Sequence, residues 1–181
     1  MRNIYLLNSD TSHYRGLQPP ENNRFMGMIE RFDGTPIGAA WDVFEVTYDD
    51  DSIELPLSDF ASLTFQHIPV FSKPAARALR SLLAGAGELL PLRCGEAKYL
   101  AFNVTALVDA LDLENSEVFR FASGKIMDVK TYVLDGERLG SAAIFKLTET
   151  PLMDVFVSDE FVNVVETAGL TGFLFKQVKI L

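Results

Sequence analysis

The chain has 181 residues, 48% of them apolar and 14 of them Phe, which suits one domain with a sizeable core. A net charge of −9 and a pI near 4.7 speak against wrapping a phosphate backbone, which needs clustered Lys and Arg. The single cysteine, Cys94, excludes an internal disulfide and a cysteine metal cluster, and it fits a reducing compartment.

The opening residues, MRNIYLLNSD, hold too short an apolar run for a signal-peptide core. No stretch approaches the ~20 apolar residues of a membrane helix, so a cytoplasmic location is expected. Asn3 to Asn8 predicts a first strand. The polar stretch from Ser9 to Asn23, with Gly16 and Pro19-Pro20, predicts a loop. Phe25, Met28 and Ile29 fall on a short strand or a turn, and Asp33-Gly34-Thr35-Pro36 is a turn signal. Trp41 to Val46 partly alternates and predicts a strand, which Asp49-Asp50-Asp51-Ser52 breaks. Pro56 to Phe60 reads as irregular, with room for a short helical turn.

Phe65 to Phe71 predicts a strand, and Ser72 after it a helix N-cap, with Pro74 tolerated in the first turn. Ala75, Leu79, Leu82 and Leu83 make an apolar stripe. Gly85 and Gly87 end it, and Glu88 to Leu92 returns as a strand. Lys98 to Val104 predicts another strand. Leu107, Val108 and Leu111 suggest a short helical turn, with Asp109 and Asp112 outward. Glu117 to Phe121 and Lys125 to Leu134 predict two strands joined across Ala122-Ser123-Gly124, with broken alternation that points to a bulge or to cover on both faces.

The stretch from Ile144 to Phe175 repeats the earlier grammar. Ser158 is a good N-cap, and Asp159 and Glu160 suit the positive end of the helix dipole. Phe161, Val164, Val165 and Ala168 form one stripe. Gly169 closes the helix, and Phe173-Leu174-Phe175 follows as a strand. The fold class expected is α+β: mostly antiparallel strands, a few short helices, and two strand–helix–Gly–strand units.

No reaction chemistry emerges from the motifs. His13 sits in a polar loop, and His67 beside Ile68-Pro69 reads as packed. Gly85-Ala86-Gly87 follows a helix instead of opening one, so it is no phosphate loop. No catalytic, cofactor or metal residue is expected. One constellation remains: Asp49, Asp50 and Asp51 in a row, with Glu54 behind and Tyr48 in front. It reads either as a solvated turn or as an acidic docking patch with an aromatic anchor. It lacks the glycine and final glutamate of a calcium loop.

Four segments taken together carry a family likeness: IPVFSKPAARALRSLLAGAGELLPL, YLAFNVTALVDALDLENS, FRFASGKIMDVKTYVLDGERLGSAAIFKL and VFVSDEFVNVVETAGLTGFLF. Over roughly residues 55 to 176 the chain resembles the eleventh immunity protein family of bacterial polymorphic toxin systems. The resemblance implies a cytosolic inhibitor that binds a cognate toxin domain directly, with a basic nuclease as the expected partner and neither nucleic acid nor membrane as one. The acidic balance agrees, because opposite fields speed encounter. The recurring motifs look like scaffold, which leaves Tyr48, Asp49, Asp50, Asp51 and Glu54 as toxin-binding candidates. The alternative is a small-ligand protein or an enzyme, with a cleft between an N-terminal lobe, 1–58, and a main region, 59–181, of one 1–181 domain.

Overall fold

A computed structural model of the chain describes residues 2–19, 23–63 and 68–181. Phe65 to His67, at the start of an expected strand, lie outside the described residues, as do Pro20 and Glu21 of the expected loop.

In chain order the elements are β1 (Ile4–Ser9), β2 (Leu17–Gln18), α1 (Asn23–Ile29), β3 (Phe44–Glu45), β4 (Thr47–Tyr48), β5 (Phe60–Leu63) and β6 (Ile68–Ser72). Then follow α2 (Lys73–Ala78), α3 (Arg80–Leu83), β7 (Gly87–Cys94), β8 (Ala97–Val104), β9 (Leu107–Val108), β10 (Glu117–Arg120), β11 (Ile126–Thr131) and β12 (Val133–Leu134). The chain closes with β13 (Ile144–Leu147), β14 (Phe156–Ser158), α4 (Asp159–Thr167), β15 (Phe173–Gln177) and β16 (Lys179–Ile180).

Two five-stranded sheets carry the fold. Their orders are β15-β1-β14-β13-β9 and β3-β7-β8-β6-β5. Pairing is mostly antiparallel, as β6, β7 and β8 show, while β3–β7, β9–β13 and β12–β16 are parallel. The first strand is built into the C-terminal sheet, where β1 lies between β14 and β15.

Strand alternation sends successive side chains to opposite faces, and each sheet therefore feeds two clusters. Phe71 and Phe102 from one sheet, with Leu7 and Val157 from the other, meet Ala75, Leu79, Leu83, Phe161 and Val165 of the helices in a shared core. Phe60 and Phe173 stack across that seam, ring centroids 4.5 Å apart. Val70, Leu92 and Ala101 on the far face, with Phe44 and Val46 at its β3 edge, are covered by Phe25, Phe32 and Ile37. Phe145 and Phe156 on the other far face are covered by Leu111, Val129, Tyr132, Leu134 and Val178.

Both serine caps form. Ser72 Oγ accepts the Ala75 amide at 3.2 Å and Ser158 Oγ accepts the Phe161 amide at 3.5 Å. Asp59 joins the two units: it accepts Ser72 Oγ at 2.7 Å through one oxygen, and the Thr171 amide and hydroxyl at 3.1 and 3.2 Å through the other. Beside Thr171, Gly172 has φ +88°, and a Cβ there would meet Phe60 O and Ser58 Cβ at 2.6 Å. Only glycine satisfies that turn.

Several local readings are corrected. Phe25 and Ile29 lie on a helix, and Phe25 fills the core beneath Phe44. The expected first helix breaks at Leu79 into α2 and α3, so Leu82 is only half-buried. Ala168, placed on the α4 stripe by spacing, is exposed because the helix ends at Thr167. Leu107-Val108 is a strand beside β13 and Leu111 a bridge to Leu134, not a helical turn. The Trp41–Val46 strand is reduced to Phe44–Glu45, and the loop after Ser9 holds a short strand at Leu17–Gln18 that pairs with β4. The expected irregularity in the β10–β11 hairpin is a pair of register shifts.

One buried charge ties the layers together. Lys146 is fully buried on β13, and its Nζ donates to Phe32 O at 2.7 Å and Pro151 O at 3.0 Å. Burial pulls its ammonium down to about 8, against the pull of Asp33 and Asp154. From the other sheet, buried Asn103 donates to Thr35 O and to Glu88 Oε1, both at 2.9 Å, and Glu88 accepts the amides of Ile37 and Gly38. The 32–38 turn is thus held from both sheets.

Candidate functional site

The five candidate residues lie together on the turn that leaves β4. Asp49 is extended and caps a 3-10 turn over Asp50–Ser52, with its carboxylate accepting the Asp51 amide at 3.2 Å. This is the short-range bond that makes aspartate a good turn opener. Gln18 Nε2 donates to the same oxygen at 3.1 Å, and the Asp49 amide donates to Gly16 O at 3.0 Å. Ser52 is buried under the turn, where its hydroxyl donates to Asp49 O and accepts the Gly16 amide, each at 3.0 Å. The short β2 strand therefore fixes the turn from below.

Two of the five residues face inward. Asp49 is spent on the cap. Tyr48 is half-buried; its hydroxyl is 3.1 Å from that of Tyr99, and burial first, then this bond, pushes its phenol well above the usual range. The guanidinium of Arg15 sits 5.4 Å over the Tyr48 ring and also donates to Leu55 O. The remaining three, Asp50, Asp51 and Glu54, are exposed and make no ion pair with any described residue. Between them Ile53 is 45% exposed.

This arrangement presents negative charge around one apolar side chain on a stiffened turn. It attracts cations. Among the described residues, no three of His, Cys, Asp and Glu come together in a way that would hold a metal. His13 is exposed and pairs with Asp10 at 2.9 Å; His67 lies outside the described residues. Cys94 is buried, which raises its thiol above the usual range.

Sequence reasoning missed the support beneath the turn. Arg15, Gly16 and Gln18 lie in a stretch whose polar composition read as plain loop. Lys146 gave a better signal: a lysine inside the apolar run Ile144-Phe145-Lys146-Leu147 has nowhere to go but a buried partner.

Residues 93–180 match the family model of the immunity protein family (Imm11). The match starts late in β7 and runs through β8–β15 and α4 into β16, a narrower span than the resemblance by motif. The acidic turn and the first capped helix lie outside it. No curated protein matches the chain. Among the described residues, no helix is long and apolar enough to cross a membrane.

Proposed function

Because residues 93–180 match the immunity protein family (Imm11), we propose that this chain is a cytoplasmic inhibitor that neutralises a cognate basic nuclease toxin by direct contact. Immunity proteins neutralise toxins and are generally inhibitors, not enzymes, so the reading needs a recognition surface and no reaction centre. The observation that carries it is the family match. The charge of −9 supports a basic partner, since a nuclease must hold an anionic substrate and an acidic inhibitor approaches such a face quickly.

In this reading Asp50, Asp51 and Glu54 meet the toxin, while Tyr48 and Asp49 form the base of the contact. The chain works as one domain, 1–181, in which the 1–58 segment supplies the acidic turn together with β1 and β3, and 59–181 the rest of the body. What supports the acidic turn is its exposure, its stiff cap, and its place outside the matched stretch. Specificity for one toxin needs surfaces that differ between relatives.

The test is binding and protection with the toxin domain encoded next to this chain. Co-expression should rescue growth, and the two purified proteins should form a stable complex in which nuclease activity is lost. Absence of a toxin gene nearby, or no complex with its product, overturns the reading.

A further inference from the structure

A second surface has the opposite character. Beyond the N-terminus of α2 two adjoining depressions in the β3-β7-β8-β6-β5 sheet meet at Lys73 and Lys98 to make an apolar groove, one lined by Val43, Leu100 and Arg93 and the other by Leu57. Val43 and Leu57 are 47% and 52% exposed. Arg93 is 3.7 Å from Glu45, and Glu96 is the other anion of the rim. Lys73 and Lys98 pair with nothing among the described residues. In a chain of charge −9, Lys73 and Lys98 leave the exposed apolar side chains with a small local excess of positive charge.

The same chain carries a segment of matching chemistry. Asp50, Asp51 and Glu54 surround the exposed Ile53, so the acidic turn is an apolar side chain ringed by anions. It stands near one end of the groove, because Leu57 of the groove follows Glu54 by three residues in the chain. It does not fill the groove of its own molecule: Gly16 and Gln18 hold Asp49, and Tyr48 bonds Tyr99, whose side chain packs on the opposite face of the sheet from Leu100. Adjacent acidic and basic patches are self-complementary about a two-fold axis, which is the condition for an isologous pair.

We infer that two copies of this chain pair about such an axis, the Asp50–Glu54 turn of each seated in the Val43–Leu57 groove of the other. Ile53 enters the apolar floor, and Asp50, Asp51 and Glu54 face Lys73 and Lys98. Exposed charge pairs are individually weak and screened by salt, so the pair forms at low salt and weakens as salt rises. The toxin and the second copy then compete for the same turn.

The experiment is sedimentation equilibrium of the full chain at low and high salt, with two charge-reversed variants. Lys73→Glu with Lys98→Glu, and Asp50→Lys with Asp51→Lys, each place like charges across both contacts of a homodimer. Each variant should be monomeric, with association weakened by at least about tenfold, given that like-charge juxtaposition costs several kcal/mol. Mixed in equal amounts they should pair again, because each turn then meets a groove of opposite sign. Ile53→Ser, at an exposed position, should weaken the wild-type pair without touching the charges. A wild-type chain that stays monomeric at low salt overturns the proposal. So does a dimer indifferent to both reversals, or a mixture of folded variants that stays monomeric. None of these outcomes bears on whether the toxin is bound.

Discussion

Ser72 and Ser158 each end a strand, cap a helix and aim that helix at one shared core, whereas Asp49 caps a turn that covers only Ser52 and leaves its other residues in water. The chemistry of the cap is the same in all three: a side-chain oxygen takes an amide of the first turn. What differs is what lies behind it. The two helices carry apolar residues at helical spacing and are tied to each other by Asp59, so their caps are part of the packing. Past the cap the helices go on to Leu79, Leu83, Phe161 and Val165, whereas the acidic turn ends at the buried Ser52 and carries no apolar stripe. Its cap therefore fixes a charged surface instead of a core. A folding element and an exposed acidic turn are built from one local device.

The largest effects should come from the shared core. Phe161→Ala and Leu79→Ala each remove a fully buried side chain and should cost about 3–5 and 2–5 kcal/mol respectively in denaturant titration. Leu82→Ala should cost clearly less, since α3 leaves Leu82 half-buried. Equal losses at 79 and 82 would mean that the break at Leu79 is not where the helix turns its face. Next is the tie between the units. Asp59→Ala leaves Ser72 and Thr171 without their acceptor and should cost roughly 1.5–3 kcal/mol, as for bonds to a charged group.

The caps themselves come third and sharpen the comparison. Ser158→Ala should cost about 0.5–1 kcal/mol and Ser72→Ala about 1–2, because Ser72 also donates to Asp59. The reverse order would remove Asp59 from the account. The pH response of stability follows from Lys146. Burial lowers its pKa in the folded chain to about 8, from an unperturbed 10.5. Between those values the unfolded chain binds more protons, so stability should rise as pH increases from about 8 toward 10. Denaturant midpoints across that window should rise for the wild type and stay flatter for Lys146→Met.

Much of the scaffold was legible because its signals are local. A serine followed by an apolar stripe and a glycine names a capped helix wherever it falls, and both instances are present. The helical turn at Phe25, the split at Leu79 and the strand at Leu107-Val108 were not legible, because each is decided by distant partners: Phe44, the shared core, and β13. The acidic run was visible as composition. Which of its residues face outward was not, since that depends on Gly16 and Gln18 holding Asp49 and on Tyr99 holding Tyr48.

The smallest effect on stability should come from the acidic turn, and the largest effect on recognition. Asp50→Asn, Asp51→Asn and Glu54→Gln together leave the Asp49 cap in place, so the denaturation midpoint should hold. Their decisive readout is the association rate with the purified cognate toxin domain, measured at low and at high salt. The account predicts slower association at low salt and a flattened salt dependence, because exposed charges act mainly on encounter. An association rate at low salt equal to that of the wild type would contradict it and take the acidic turn out of the interface.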